Sequence, residues 1–515
     1  MNDTWNDGYV VDTGYLYSYV RELCPARIRF ALLAAGMEGV DPPQAACELG
    51  FGQGLSVNIH AAGNPGLAHW GTDFNPAQAA FAQSLAGASG AGAKLFADSF
   101  ADFAARGDLP DFDFVGLHGI WSWVSAENRA TIVEFLRRRL KPGGVVYLSY
   151  NCHPGWAAAA PLQYLLAGHA SGLRRSEASV GAGVDAALGF VERLFALHPA
   201  YARAHPALAT RLKNMRKKSA SYLAHEFFNE HWTLMQFGEV AKALAPAGLR
   251  FAAHATGSDA LDALHLTAEA CDFLHAIPDP AYRETVRDVF MNRQFRRDYW
   301  VRESSPPSAP MPDVRWRGLR FVLTGPRDGV PMQIEGTLGE ARLSGAVYAP
   351  LLDALAARDG AAKEFAELEA RVAGAGGRAQ LVEALSLLVS QGVVEPAHDE
   401  ARSARAAPAC RRLNRALCER ARDSADILAL ASPVTGGGVL TGRFEQLFLL
   451  AREDGGATPQ AWADQAAAAL ERNHQRLRLD DGSPLGVEAG RAELLRRARD
   501  FETKRLPALR ALGVA

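Results

Sequence analysis

The sequence predicts an α/β protein whose N-terminal part is an open, doubly wound sheet with a helical insertion, followed by mostly helical C-terminal domains. Two observations predict this fold class. Apolar runs of strand length alternate with Ala-rich stretches of helical length over residues 46–150, which is the pattern of a buried parallel sheet covered by helices on both faces. The first run ends in a turn with glycine at three alternate positions, Gly50, Gly52 and Gly54.

Size and composition limit the possible classes of protein. A chain of 515 residues is too long for one core and favours two to four domains. Its apolar content of 48% is that of a globular protein, and its formal charge of −2 argues against a nucleic-acid partner. The N-terminus has neither a basic start nor an apolar core, and no apolar run is long enough to cross a bilayer. We therefore expect a cytoplasmic protein without a membrane span, whose six cysteines are free thiols.

The glycine-rich turn begins two residues after an acid, Glu48, which closes the first apolar run. Glycines at these positions let the backbone turn tightly and let a flat ligand approach it. The spacing differs from the dinucleotide fingerprint, in which the third glycine comes three residues after the second. The next predicted strand, residues 69–73, ends in Asp73, and a carboxylate at this position can accept two hydrogen bonds from a ribose.

Three further landmarks follow in order along the chain. Residues 95–100 indicate a third strand and its loop, residues 112–118 a fourth strand, and residues 140–150 a glycine turn and a fifth strand. With the two acids and the glycine turn, this order resembles class I S-adenosylmethionine (SAM)-dependent methyltransferases, which have a Rossmann-like sheet. The resemblance implies that SAM is the cofactor and that it is held by Glu48, Gly50, Gly52, Gly54, Asp73, Asp98 and Ser99.

Two more residues are candidates for the cofactor site. Asn75 precedes Pro76 at a predicted helix start, where it either caps the helix or reaches the cofactor. Tyr17 belongs to an aromatic N-terminal segment that either packs against the sheet edge or folds over the cofactor. The second interpretation has a physical reason, because aromatic faces attract a sulfonium cation.

Polar and aromatic side chains follow the fourth and fifth strands, at the edge where open α/β sheets bind their ligands. We predict catalytic roles for His118, Tyr150 and Asn151, and we expect His118 to border the cofactor as well. We predict substrate contacts for Trp121, Trp123, Trp156 and His225. Packing in the core is the alternative for the tryptophans.

Two segments narrow the resemblance to one family. HGIWSWV (residues 118–124) and SYNCHPGW (residues 149–156) are similar to bacterial methyltransferases that carry a methyltransferase regulatory domain. That family includes outer-membrane-protein lysine methyltransferases. Residues 222–227 and 292–299 fit the same family, so the similarity covers residues 10–300.

Residues 157–235 have apolar positions at three- and four-residue spacing and are predicted to be helical. An insertion at this point lies over the ligand-binding edge, so we interpret it as a lid or a substrate platform. His225 and His231 within it are six residues apart, whereas a helical zinc motif needs histidines four apart. We therefore predict no metal site.

The composition also predicts the domain boundaries. Residues 304–313 are rich in proline and serine and indicate a linker between a methyltransferase domain over residues 1–303 and a winged-helix-like domain over residues 314–400. A mostly helical domain follows over residues 401–515, and its Arg/Ala-rich start, residues 401–422, is interpreted as a solvated helix. The winged-helix-like part lacks a basic recognition helix, which favours contact with protein over nucleic acid. A C-terminal region of this size suits a macromolecular acceptor or a homodimer.

Methyl transfer requires the protein to hold the nucleophile near the methyl group and to exclude water, without a covalent nucleophile. The leading hypothesis, implied by the resemblance, is methylation of protein lysines. Desolvation would then favour the neutral amine, and His118 or Tyr150 would accept its proton. One alternative is methylation of a hydroxyl or amine on a sugar or small molecule, for which His118 would be the main base. The other alternative is a SAM-binding scaffold with little activity.

Overall fold

The computed structural model describes residues 16–37, 42–174, 180–303, 314–478 and 482–515. The predicted linker, residues 304–313, and the first 15 residues lie outside these ranges. None of the helices in the described ranges has the length and apolarity that a membrane crossing requires. All six cysteines are unpaired thiols.

A seven-stranded sheet forms the centre of the N-terminal part. Its strands are β1 (Ala45–Leu49), β2 (Ala68–Thr72), β3 (Lys94–Phe96), β4 (Phe112–Leu117), β5 (Leu140–Asn151), β6 (Leu249–His254) and β7 (Phe295–Arg302). The spatial order is β3-β2-β1-β4-β5-β7-β6, with β1 to β5 parallel and β7 antiparallel to both of its neighbours. The reversed last strand completes the expected methyltransferase sheet, so the predicted fold class is confirmed.

Helices cover both faces of this sheet. They are α1 (Pro25–Ala34), α2 (Leu55–Gly63), α3 (Pro76–Ser89), α4 (Phe100–Ala105) and α5 (Ala126–Arg139). The last four connect consecutive parallel strands, as doubly wound sheets require. α2 is buried along its whole length, because the sheet lies on one side of it and the C-terminal part of the chain on the other.

The insertion after β5 is helical, as predicted, and has its own apolar core. Its helices are α6 (His153–Trp156), α7 (Ala160–Arg174), α8 (Val180–Ala196), α9 (Ala200–Ala204), α10 (Ala207–Met215) and α11 (Ala220–Phe227). Four more helices flank the last two strands of the sheet. They are α12 (Phe237–Leu244), α13 (Asp262–His265), α14 (Ala268–His275) and α15 (Pro280–Phe290).

A smaller α+β unit follows. Its elements are α16 (Val314–Arg317), β8 (Arg320–Leu323), β9 (Gln333–Gly336), β10 (Gly339–Arg342), α17 (Gly345–Ala356), β11 (Lys363–Glu364), α18 (Phe365–Val372), α19 (Gly377–Gln391) and β12 (Val394–Ala397). β8 pairs antiparallel with both β11 and β12, and β9 and β10 form a separate hairpin. Three helices between short strands agree with the order expected for a winged-helix-like unit. The domain boundaries themselves stay predictions.

The remaining chain is mostly helical. Its elements are α20 (Glu400–Arg420), β13 (Ala429–Ala431), β14 (Gly438–Leu440), α21 (Arg443–Glu453), α22 (Pro459–Arg472), α23 (Val487–Asp500) and α24 (Leu506–Ala511). The prediction that residues 401–422 form a solvated helix is wrong for one face of α20. Ala406, Cys410, Leu413 and Leu417 are buried against α2 and α3, because they recur at the three- and four-residue spacing of one helix face.

The α+β unit is also fixed to the N-terminal part by a buried ion pair. The Arg27 guanidinium on α1 donates two hydrogen bonds to the Glu395 carboxylate on β12, at 2.6 and 2.5 Å. It donates a third to the Val389 carbonyl at 2.8 Å. Bidentate geometry of this kind specifies how two surfaces meet. Both C-terminal parts are therefore packed onto the sheet layers.

Candidate active site

The turn between β1 and α2 closes tightly on the loop that follows β4. Gly50, Gly52 and Gly54 all have positive φ, between +58° and +72°, a region that favours glycine. A Cβ on Gly50 would lie 2.2 Å from Ile120 Cδ1, and a Cβ on Gly54 would lie 2.3 Å from Ala82 Cβ. The three predicted glycines thus form a cradle without side chains at the carboxyl end of β1. We call residues 50–54 the glycine cradle.

Asp73 follows β2 and lies beside the glycine cradle. Its two carboxylate oxygens accept hydrogen bonds from the backbone N–H groups of Gly52 and Asn75, at 2.8 and 3.0 Å. A carboxylate offers about four lone-pair sites, so each oxygen keeps capacity for a hydroxyl donor. The structure therefore brings together the acid and the turn that the sequence predicted to hold the cofactor.

Glu48 and Asp73 are both buried, and no ion pair with either occurs in the described parts of the chain. Burial raises the pKa of Glu48 to about 8, and the charge of Asp73 adds to this shift. Burial also raises the pKa of Asp73 to about 6, although its two N–H donors oppose the shift. A positive charge nearby would stabilise both ionised forms. SAM carries an ammonium and a sulfonium group, so these residues fit the predicted cofactor.

The other predicted cofactor residues lie at the starts of helices. The Asn75 side chain caps α3 by accepting a backbone N–H at 3.0 Å, and the Ser99 hydroxyl caps α4 in the same way at 3.1 Å. Asp98 is half-buried and pairs with Arg106 at 3.2 Å. Capping accounts for Asn75 and Ser99 structurally. Cofactor contacts by these three residues stay predictions.

Tyr17 lies between the N-terminal part and α20. Its ring packs edge-on against Phe81 of α3, with centroids 5.1 Å apart. The Arg420 guanidinium lies 4.5 Å from the centre of the same ring, a distance typical of a cation–π contact. A protein cation therefore already uses this aromatic ring, and the predicted contact with the cofactor stays a prediction.

His118 follows β4 and is half-buried. Its Nδ1 lies 2.8 Å from the Tyr147 hydroxyl on β5, and its ring packs against Tyr147 and Phe295. Desolvation lowers the pKa of His118 to about 4. His118 is therefore a neutral imidazole at pH 7. It stands two residues before Ile120, which borders the glycine cradle.

Buried N–H groups without a hydrogen-bond partner occur near the ends of β4 and β5, counting only the residues that the structure describes. They are Asn151 Nδ2 and Trp123 Nε1. The backbone around Asn151 is well ordered by hydrogen bonds to Ser122 Oγ at 2.8 Å and from Met235 N at 3.0 Å. A buried donor without a partner costs about 1–3 kcal/mol. Both groups therefore suit contact with a ligand, which is what the predicted roles of Asn151 and Trp123 require.

Tyr150 and Trp121 are fully buried and already have partners. The Tyr150 hydroxyl donates to Asp298 at 3.1 Å, and burial raises its pKa well above 10. The Trp121 indole N–H donates to Met235 Sδ at 3.1 Å. Both side chains pack in the core beneath the strand ends, which is the alternative that the sequence left open for the tryptophan. Neither is assigned to the chemistry below.

A buried ionic network lies behind Tyr150, and sequence reasoning missed it. The Arg296 guanidinium donates to Asp298, Asp288 and Glu284 at 2.8, 2.8 and 3.0 Å. These residues join β7 to α15 beneath the ligand-binding edge. Residues 292–299 carry part of the family resemblance and include the β7 members of this network. Sequence spacing alone does not show which charged side chains pair.

Trp156 and His225 belong to the helical insertion. Trp156 packs edge-on against Trp232, with centroids 5.5 Å apart, and the Arg211 guanidinium lies 4.4 Å from its ring centre. His225 is buried on α11. Beside it, burial raises the pKa of Glu226 to about 7. Among the described residues, no cluster of His, Cys, Asp and Glu is suited to a metal ion.

Comparison with known proteins identifies the family. A methyltransferase-domain model matches residues 47–148, and a model described as a predicted methyltransferase regulatory domain matches residues 219–302. An uncharacterized protein of Synechocystis, sll1526, is 35% identical over 519 residues, which covers 99% of this chain and 100% of that protein. The first model spans the glycine cradle and Asp73, and the second spans α11 to β7.

Two solved structures share the fold over nearly the whole chain. PKMT2 from Rickettsia typhi in complex with AdoHcy gives a TM-score of 0.67 at 16% identity, covering 96% of this chain and 99% of that chain. A second structure of PKMT2 gives a TM-score of 0.65 at 18% identity, covering 97% and 99%. The chain belongs to the same family as the Synechocystis protein, and it is a class I SAM-dependent methyltransferase that carries a methyltransferase regulatory domain.

Proposed function

We propose that this methyltransferase N-methylates lysine side chains of a protein acceptor. The observation that supports the proposal is the position of His118, which lies 2.8 Å from the Tyr147 hydroxyl, two residues before Ile120 of the cradle border, and whose pKa desolvation lowers to about 4. General-base catalysis works best when the pKa of the base is near the operating pH. A hydroxyl acceptor needs such a base to remove its proton. An amine that arrives neutral already carries the lone pair that attacks.

A desolvated site for the acceptor would favour the neutral amine form of a lysine side chain. A lysine side chain in water has a pKa of about 10.4, and desolvation lowers that value because it disfavours the charged form. Asn151 and Trp123 would border the acceptor, and their buried N–H groups without a partner and the Trp123 ring support this placement. Their surroundings would therefore promote release of the amine proton before transfer.

On the cofactor side, the glycine cradle, Asp73 and Glu48 would hold SAM, which supplies an electrophilic methyl group when bound. Asp73 would accept hydrogen bonds from the ribose, since its oxygens keep free lone pairs beside the bonds from Gly52 and Asn75. Glu48 would face the positively charged end. The protein thus contributes orientation and exclusion of water rather than covalent chemistry.

The structural neighbour supports a protein acceptor. Its name, PKMT2, denotes a protein lysine methyltransferase, and its fold matches this chain from the sheet through both C-terminal parts. The two proteins are alike in fold, so the acceptor must be identified by experiments with this protein.

The test is methyl transfer from SAM with a labelled methyl group to a lysate of the source organism, followed by acid hydrolysis and amino-acid analysis. We expect the label in methylated lysine, and we expect it to disappear with Asp73→Ala. Label that enters only small molecules or esters would overturn the lysine assignment. SAM binding without any transfer would favour the scaffold alternative.

A further inference from the structure

Two neighbouring helices, α14 and α15, expose an apolar surface. Phe273 is 59% exposed, Tyr282 61%, Val289 62% and Phe290 42%. Phe273 and Phe290 contact each other edge-on across the two helices, with centroids 6.0 Å apart. We call these four residues the α14–α15 patch.

The buried face of α15 explains why this exposure is unusual. Arg287 and Asp288 on that face are buried, where Arg287 pairs with Asp262 at 2.8 Å and Asp288 pairs with Arg296 at 2.8 Å. The helix therefore places charges inside and large apolar side chains outside, the reverse of an ordinary surface helix. Single exposed apolar residues are common, but a contiguous group of them marks an interaction surface.

The exposed charged residues of α14 and of the turn before α15 are acidic. Glu269, Asp272 and Asp279 are exposed on α14 and at the start of α15. Arg283 is the only other arginine of α15 besides Arg287, and its guanidinium donates to the Ile277 carbonyl at 2.6 and 3.0 Å. An apolar patch with an acidic rim is complementary to a segment that combines apolar and positively charged side chains.

The patch lies next to the acceptor side of the active site. The chain leaves α15 through residues 291–294, and this segment is bonded to the residues that follow β5. Gly155 N donates to the Arg293 carbonyl at 2.9 Å, and Cys152 N donates to the Gln294 carbonyl at 2.8 Å. A Cβ on Gly155 would lie 2.5 Å from the Asn292 carbonyl oxygen, so the contact leaves no gap. Asn151 at the end of β5 pairs with Phe295 at the start of β7, so residues 291–294 connect the patch to Asn151.

We infer that the α14–α15 patch docks a basic, amphipathic segment of the methyl-acceptor protein and so presents a neighbouring lysine to the active site. This inference rests on the proposed function for the identity of the acceptor. The docking itself does not require methyl transfer and is measured separately. The patch would lower KM for a protein acceptor and leave the chemical step unchanged.

The experiment measures binding of a fluorescent, amphipathic helical peptide of Leu and Lys to the full chain by anisotropy. The test variant is Phe273→Ser combined with Phe290→Ser. The matched control is Leu338→Ser, which removes a side chain of 56% exposure on the β9–β10 turn. We expect at least about tenfold weaker binding for the double variant and unchanged binding for the control. Glu269→Lys with Asp272→Lys should weaken binding too, and added salt should reduce that difference.

The outcomes separate this inference from the proposed function. Equal binding by wild type and double variant, or no peptide binding by the wild type, would overturn the docking site even if lysines are methylated. Peptide binding that depends on the patch, with label entering no lysine, would sink the proposed function and keep the surface. Sedimentation analysis supplies a third outcome. A dimer that the double variant splits would assign the patch to a second copy of the chain and overturn the inference.

Discussion

Two clusters of buried acids at the ligand-binding edge behave in opposite ways. At the glycine cradle, burial raises the pKa of Glu48 to about 8 and of Asp73 to about 6, with no protein cation paired to either among the described residues. In the network behind Tyr150, burial also acts on Asp298, but the Arg296 guanidinium and His254 outweigh it and hold its pKa below the ordinary value.

The difference separates a binding site from a structural element. Asp298 has its cation built into the chain, so its charge is balanced in every state of the protein. Glu48 and Asp73 lack one, so a cationic ligand would stabilise their charged forms. Asp288 lies between these cases, because it shares Arg296 with two other acids and burial raises its pKa to about 6. Buried acids thus indicate a ligand site when the fold leaves them without a partner.

The comparison of the two acid clusters predicts that substitution of Arg296 has the largest effect on stability. Arg296→Met should lower the free energy of unfolding by about 3–5 kcal/mol, because it leaves buried acids without their cation. Urea denaturation measures the loss. Arg137→Met, which breaks an exposed pair with Glu134, should change stability by less than about 1 kcal/mol. A loss for Arg296→Met as small as that of the control would show that the network is not structural.

At the glycine cradle, removal of a buried acid should affect binding more than stability. Asp73→Ala should weaken SAM binding at least about 100-fold, because it removes charge-assisted hydrogen bonds to the ribose. The unfolding free energy should fall by less than in Arg296→Met, by about 1–3 kcal/mol, because the N–H groups of Gly52 and Asn75 lose their acceptor but no protein cation is left unpaired. Calorimetric titration with SAM and S-adenosylhomocysteine measures the affinity, with Asp108→Ala as an exposed-acid control. Full binding by Asp73→Ala would remove this residue from the cofactor site.

The raised pKa of Glu48 predicts that the affinity for SAM depends on pH. With a pKa of about 8 in the free protein, Glu48 is protonated below that pH, and a cationic ligand favours its ionised form. SAM binding should therefore release a proton below pH 8, and affinity should rise by up to about tenfold per pH unit from pH 6 to 8 and then level off. Titrations in buffers of different ionisation enthalpy count the proton. Glu48→Gln should abolish the slope, and an unchanged slope in this variant would assign the proton to another group.

The cofactor edge could be predicted residue by residue because local pattern determines it. Three glycines at alternate positions can form one turn at the end of β1, and a strand-end acid one β-α-β unit later must lie beside it. Asp73 and the glycine cradle therefore meet as expected. Asn75 and Ser99 were harder to interpret, because the residue types that cap a helix are also those that contact a ligand.

The acceptor edge could be predicted only in part, because tertiary packing decides which side chains reach it. Trp121 and Trp123 are two residues apart in one loop, yet the Trp121 N–H is bonded to Met235, whereas the buried Trp123 N–H has no partner among the described residues. Met235 comes at the C-terminal end of the insertion, and no local sequence pattern shows that it contacts Trp121. The burial of one face of α20 was not predicted, because composition shows its many arginines but not which apolar positions between them meet α2 and α3.

Substitution of His118 is expected to have the smallest effect, and the size of that effect on kcat distinguishes an amine acceptor from a hydroxyl acceptor. It is half-buried, and desolvation lowers its pKa to about 4 and leaves it neutral at pH 7. If the acceptor is an amine that arrives neutral, His118→Ala should reduce kcat by less than about tenfold, because little general-base catalysis is lost. If the acceptor is a hydroxyl, the loss should reach about 10²–10⁴-fold. Single-turnover rates at saturating SAM measure the step, with the SAM affinity of the variant determined separately. A large loss of kcat at unchanged affinity would make His118 a true base and direct the search toward a hydroxyl acceptor.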